Sequence, residues 1–152
     1  MTPVAADGWR DRADQLLADI VAIPSVDGKL GARPVAERLA REFQRAGFTP
    51  ADVRILRYRK TAALMVRLRA RQPRRGTILL LGHMDVVEAD RADWSRDPFT
   101  LTRDGEYLYG RGTADMKGGL VAQAIALMRM HDDHMPIDRD IVLFATGDEE
   151  TE

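Results

Sequence analysis

Five side chains in this sequence have the types and spacing to gather around a cation: His83 with Asp85, then Asp115, then Glu149 with Glu150. Imidazole nitrogen and carboxylate oxygen are the donors that zinc, cobalt and manganese accept. In Gly82-His83-Met84-Asp85 the alternation of an extended chain sends His83 and Asp85 to one side and Met84 to the other, so Asp85 can hold the second ring nitrogen of a metal-binding His83. Taken alone, the tripeptide reads first as ordinary strand-end hydrogen bonding. The other carboxylates change that reading. Carboxylates crowded at one point repel each other and protonate or destabilise the fold unless a cation neutralises them, and a divalent metal is the simplest such cation. Adjacent Glu149 and Glu150 can divide the labour where the chain bends, one binding metal and the other acting as general base, while Asp115 can bridge two ions with its two oxygens.

The surrounding sequence has to bring these residues together. Ile78-Leu79-Leu80-Leu81 is an apolar run without helical period, the pattern of a strand buried on both faces, and it runs into His83. Asp140 to Thr146 repeats the pattern and runs into Gly147-Asp148-Glu149-Glu150. Between them Gly110-Arg111-Gly112-Thr113-Ala114-Asp115-Met116-Lys117-Gly118-Gly119 opens a helix with Leu120, Ala124, Leu127 and Met128 on one side, ending near His131. In open parallel sheets chemistry collects at the carboxyl ends of strands, where both acidic segments fall. Upstream, Asp7 can cap a helix with Ala13, Leu16, Leu17, Ile20 and Val21 at helical spacing, stopped by Pro24. A second helix enters at Pro34, shows Val35, Leu39 and Phe43, and ends at Gly47, with its arginines and glutamates on the wet face. Val53 to Arg59 and Ala62 to Arg69 alternate apolar and basic residues as half-exposed strands do. Glu88 to Pro98 is an irregular polar loop, and its Trp94 reads either as part of the site or as a packing residue. Phe99 to Thr102 and Tyr107 to Tyr109 form a short hairpin around Asp104-Gly105.

Composition closes off several functions. A chain of 152 residues, 45% hydrophobic and 31% charged, fits one ordinary globular domain. Its 23 basic and 24 acidic residues leave a net charge of −1, so no overall field draws nucleic acid or an anionic membrane, and a small-molecule or peptide substrate is favoured. The arginines of residues 53–69 lack interleaved aromatics apart from Tyr58 and read as a solvated strand face. Without cysteine there is no disulfide, thiolate ligand or thiol nucleophile. The first residues have no basic start and apolar core, and no run reaches the length of a membrane span, which gives a cytoplasmic protein as the default expectation. The glycine-rich loop lacks the Gly-Lys-Ser/Thr ending of a phosphate cradle, and the third glycine of a dinucleotide fingerprint is replaced by Asp115, which repels phosphate. His131 and His134 beside Asp132 and Asp133 form a second metal-like cluster, but at a helix end where imidazole is favourable anyway, and a surface role is the expectation.

Gly82-His83-Met84-Asp85, Tyr109 to Gly119 and Asp148-Glu149-Glu150 resemble, in order and spacing, the successive signatures of the dinuclear-zinc aminoacylase and carboxypeptidase family. That family includes acetylornithine deacetylase, succinyl-diaminopimelate desuccinylase, glutamate carboxypeptidase and carnosinase-like dipeptidases. Ile23-Pro24-Ser25-Val26, Trp94 and Pro98-Phe99 are similar to it too, so the resemblance covers almost the whole chain. It implies an α/β fold, a three-layer sandwich whose mostly parallel central sheet is flanked by helices and is incomplete here. It also implies two zinc ions (cobalt or manganese being possible), with His83 and Glu150 as ligands, Asp115 bridging both ions, Asp85 orienting His83 and Glu149 as general base. The peptide bond after Asp115 is often cis in that family. The implied reaction is hydrolysis of an amide bond in an N-acyl amino acid or small peptide, by a complete protein that is a homodimer.

The family pattern requires a further carboxylate ligand and a final histidine downstream of Glu150, and an inserted smaller domain. Residues 1–152 are therefore expected to be an N-terminal part of the catalytic domain, inactive alone. The competing expectation is a non-catalytic α/β module that binds a divalent metal or a partner.

Overall fold

The computed structural model describes residues 6–26 and 31–150. Among the described residues three α-helices, α1 (Ala6–Val21), α2 (Arg33–Arg45) and α3 (Lys117–Asp132), and one 3-10 turn (Arg91–Asp93) accompany six strands. The strands are β1 (Val53–Tyr58), β2 (Thr61–Leu68), β3 (Ile78–His83), β4 (Thr102–Asp104), β5 (Tyr107–Tyr109) and β6 (Ile141–Thr146). The helical spacing in α1 buries Leu16, Leu17, Ile20 and Val21, and the helix stops short of Pro24. The Asp7 side chain, expected as its cap, lies outside what the structure describes, and Asp7 itself falls within the helix. In α2, Pro34 occupies the first turn, where no amide hydrogen is needed, and Gly47 takes the left-handed conformation (φ +93°) just past the end.

The main sheet has the order β1-β2-β6-β3. Only Arg59 and Lys60 separate β1 from β2, a connection that forces antiparallel pairing, with Tyr58 opposite Thr61. β2 also runs antiparallel to β6, whereas the crossover through α3 makes β3 and β6 parallel, with Gly82 beside Ala145 and His83 beside Thr146. The sheet is thus mixed rather than mostly parallel. For the site the one parallel pairing matters most, because it sets the carboxyl ends of β3 and β6 side by side. β4 and β5 form a separate antiparallel hairpin turned by Gly105 (φ +59°). Its first strand starts at Thr102, later than the sequence suggests, because Asp97 ties Phe99 into a turn (Phe99 N–H to Asp97 Oδ1, 2.8 Å).

α2 and α3 pack on one face of the sheet and on each other, with α1 against both. That face carries Leu64, Val66, Leu143 and Ala145, all fully buried. On the other face Leu79 and Leu81 are 61% and 60% exposed. β3, expected to be buried on both faces, is an edge strand with one face bare, because among the described residues no helix covers that side. Glu42, expected on the wet face of α2, is also buried. Its carboxylate accepts from Arg12 Nε at 2.6 Å and Arg38 Nη1 at 2.7 Å, and Arg38 Nε reaches Asp19 at 2.8 Å. Among the described residues no helix is long and apolar enough to cross a membrane.

Candidate metal centre

Beyond β6 the chain bends sharply over residues 147–150. Gly147 permits the bend by lying on β2: a side chain there would meet the Ala62 carbonyl oxygen at 2.4 Å, and Thr61 Oγ1 donates to the Gly147 carbonyl at 2.7 Å. The bend folds Glu149 and Glu150 back over the end of β3. The Met84 amide donates to the Thr146 carbonyl (2.9 Å), and the Glu150 amide donates to Asp85 Oδ2 (2.7 Å), so two hydrogen bonds lock the two strand ends together.

The glycine-rich loop supplies the third side. Its glycines serve close packing. Gly112 is left-handed (φ +86°), and a side chain on it would press on Val86 at 2.9 Å and on the Lys117 stem at 3.1 Å. A side chain on Gly118 would meet the Thr113 carbonyl oxygen at 2.2 Å. The Asp115–Met116 peptide is cis.

His83 is the centre of the resulting cluster and is 6% exposed. Its Nε2 lies 3.0 Å from Asp115 Oδ1 and 3.8 Å from Glu149 Oε2. Donor atoms of His83, Glu149 and Glu150 all lie within 4.8 Å of one another. Asp85, 1% exposed, stands behind the ring. The expected carboxylate contact is replaced by a main-chain one: His83 Nδ1 sits 3.1 Å from the Asp85 carbonyl oxygen and 3.6 Å from its carboxylate Oδ1. Asp85 Oδ1 is buried without a hydrogen-bond partner.

The chemistry of this donor set follows from the Asp85 carbonyl. A carbonyl only accepts, so Nδ1 carries hydrogen, and in the neutral ring Nε2 presents a lone pair. That lone pair faces the Asp115 carboxylate, another acceptor. Two acceptors 3.0 Å apart require a proton or a metal cation between them. The proton alternative is visible in the ring's acidity. Burial pulls the His83 pKa down, but the Asp115 hydrogen bond, the Asp85 carbonyl and the charges of Asp85 and Glu149 together outweigh it and hold the pKa above its ordinary value. One imidazole and several carboxylates, brought from three segments, fit a divalent cation.

Lys117 has no role in the sequence reading, and the structure gives it one. Its side chain is fully buried, and Nζ donates to the carbonyls of Ile20 and Ile23, each at 2.8 Å. Burial pulls its pKa down to about 7, opposed by the charge of Asp85. Ser25 is likewise buried and donates to the Met84 carbonyl at 2.7 Å. A lysine opening a helix just after a glycine-rich loop was the available signal, since a charged residue there is ordinarily left in water.

The second histidine cluster does not converge. His131 stacks on Phe48 with centroids 4.6 Å apart and lies against Gly47, while Asp133 pairs with Arg129 at 3.5 Å. Trp94 lies beneath the Arg111 guanidinium, 5.2 Å from it, joining its loop to the glycine-rich loop. A cleft of about 630 Å³ lies at the amino end of β6 between Arg71, Arg74, His134 and Ile137, and neither His83 nor the carboxylates around it line it.

Residues 79–152 match Peptidase family M20/M25/M40. A probable succinyl-diaminopimelate desuccinylase of Staphylococcus aureus is 49% identical over 76 residues, which is 49% of this chain and 19% of the relative. An acetylornithine deacetylase of Edwardsiella ictaluri is 46% identical over 76 residues, 50% of this chain and 19% of the relative. Human carnosine dipeptidase 1 superposes with a TM-score of 0.74 at 27% identity, over 99% of this chain and 36% of that one. An M20 family metallo-carboxypeptidase of Sulfolobus solfataricus shares the fold with a TM-score of 0.80 at 22% identity, over 92% of this chain and 31% of that one. The matched stretch therefore spans about a fifth of the curated relatives' length.

Proposed function

We propose that this chain, which belongs through residues 79–152 to the metallopeptidase family M20/M25/M40, is the N-terminal part of a catalytic domain that hydrolyses an amide bond in N-acyl amino acids or small peptides. The observation that carries the reading is the acceptor-to-acceptor approach of His83 Nε2 and Asp115 Oδ1, with Glu149 and Glu150 closing over it. The family is one of divalent-metal enzymes. In this reading the metal is zinc, two ions in the complete protein, held here by His83, Asp115 and Glu150. A divalent cation at this place supplies positive charge that polarises a carbonyl and makes water more acidic.

The chain's own residues divide the remaining work. Asp85 fixes the tautomer and direction of His83 through its main-chain carbonyl, and holds the Glu149-Glu150 bend through Oδ2. Asp115 approaches from the glycine-rich loop and brings its carboxylate to the side of His83, 3.0 Å from Nε2. Glu149, 60% exposed at its side chain, is free to take a proton from attacking water and deliver it to the leaving nitrogen.

Two facts support a partial domain. Leu79 and Leu81 are exposed on a sheet face that a second helical layer would cover, and the curated relatives are several times longer than the matched stretch. The relatives' names, a desuccinylase, a deacetylase and a dipeptidase, all denote cleavage beside an amide carbonyl and support that bond as the target. The reading carries with it a cytoplasmic homodimer, weak metal binding by residues 1–152 alone, and no appreciable turnover by them.

The test is Glu149→Ala in the complete protein. Metal content stays at the parent level while turnover of N-acyl amino acids or dipeptides falls by roughly 10²- to 10⁴-fold, the usual contribution of a general base. Undiminished turnover removes Glu149 from the role.

A further inference from the structure

The segment Ile20–Val26 touches both sides of the metal centre. On one side, Ser25 Oγ donates to the Met84 carbonyl at 2.7 Å, and the Val86 amide donates to the Ser25 carbonyl at 3.3 Å. These bonds grip the main chain on either side of Asp85, just beyond His83. On the other side, Lys117 Nζ reaches the carbonyls of Ile20 and Ile23 from the loop that carries Asp115. Gly110 at the start of that loop packs so closely on Val21 that a side chain would lie 2.9 Å from its Cγ1. No direct hydrogen bond between the Met84–Val86 main chain and the 110–117 loop is needed, because the end of α1 joins them.

Two features make this more than packing. The carbonyls of Ile20 and Ile23 lie at and just past the C-terminus of α1; each accepts one backbone amide, from Ile23 at 3.3 Å and from Ser25 at 2.8 Å, and the partial negative charge of a helix end makes a lysine amine a fitting second donor. The amine that fills the place is also a buried basic group within the field of Asp85, in a set of residues that is otherwise imidazole and carboxylate.

We infer that Lys117 and Ser25 are positioning residues of the metal centre: with the Ile20–Val26 segment they set the separation between His83 and Asp115, and hence the fit of the cation. The inference rests on the metal-centre reading above. Neither side chain touches metal or substrate. Each acts through the main chain that carries a donor.

The experiment uses the complete protein, zinc for affinity and cobalt(II) alone as a spectroscopic probe. Lys117→Met keeps the length of the stem and removes the amine; Ser25→Ala removes one hydroxyl. Each lowers zinc affinity by about 10- to 100-fold, the range for loss of an outer partner of a metal ligand, and shifts the visible bands of bound cobalt. Arg12→Leu, which opens the charged network far from the centre, supplies a control of reduced stability, and it keeps the parent affinity and spectrum. If Lys117→Met does not fold, Ser25→Ala carries the comparison. Parent affinity and an unchanged cobalt spectrum in folded Lys117→Met or Ser25→Ala overturn the inference, as does an equal loss in Arg12→Leu. A parent protein that takes no metal, or takes it equally after His83→Ala, instead overturns the metal-centre reading itself.

Discussion

Two groups of charged residues lie at or beneath the surface of this protein, and they are built on opposite plans. Around Glu42, arginines meet two carboxylates: Arg12 and Arg38 hold Glu42, the exposed Arg45 approaches it at 3.5 Å, and Arg38 also holds Asp19. Burial raises the Glu42 pKa, but its hydrogen bonds to Arg38 and Arg12 and their charges outweigh this and leave it below the ordinary value. Each carboxylate of the group has a guanidinium against it, and the group wants no cation from outside. Around His83, four carboxylates from three segments (Asp85, Asp115, Glu149 and Glu150) face one imidazole, with Lys117 as the buried basic group. There acceptors face acceptors, and Asp85 Oδ1 is buried without a partner. A charged group that satisfies itself is a fastening, whereas one left with excess negative charge at the ends of strands is a place for a cation.

The comparison breaks if the two groups respond alike to mutation. Glu42→Ala leaves Arg12 and Arg38 facing each other partly buried, and is expected to cost about 3–5 kcal/mol in denaturant unfolding while leaving metal content unchanged. His83→Ala is expected to weaken zinc binding by more than ~100-fold, the upper end of what losing even an outer partner costs, with a much smaller effect on unfolding. A smaller effect comes from acid. The folded-state pKa values of Glu42 and Asp140 are depressed, Asp140 by the Ala70 amide and by Arg67. Their contribution to stability is complete above the unfolded-state carboxylate range, about pH 4, and disappears as pH falls through the lower folded values. Glu42→Gln flattens that acid limb in a series of unfolding curves; an unchanged limb would place the acid sensitivity elsewhere. Least of all, His134→Ala should leave zinc affinity within about 0.5 kcal/mol of the parent, as expected of a surface substitution. A large loss there would mean the wrong histidine cluster has been chosen.

Much of this arrangement is legible in the sequence because it depends on local pattern. The apolar runs ending at His83 and Thr146, the helix opening at Lys117 and the turn at Gly105 all follow from period and glycine placement. What the sequence conceals is partnership over long separations. Glu42 looks like one more exposed carboxylate on an arginine-rich helix until Arg12 arrives from α1 to bury it. β3 looks buried on both faces because its residues are apolar, but apolarity describes what a strand needs, not what covers it among the described residues. At the site, the approach of His83, Asp115 and the two glutamates is signalled by residue type, whereas the use of the Asp85 carbonyl in place of its carboxylate depends on ring orientation. Lys117 was hidden for the same reason, its partners being main-chain carbonyls that any residue provides.

Diffraction data collected on either side of the zinc absorption edge, from crystals of the complete protein loaded with zinc, address the central claim most directly. The account predicts an anomalous peak among His83 Nε2, Asp115 and Glu150, with Glu149 beside it. A peak at His131 and His134 instead, or no peak at the ends of β3 and β6, would contradict it.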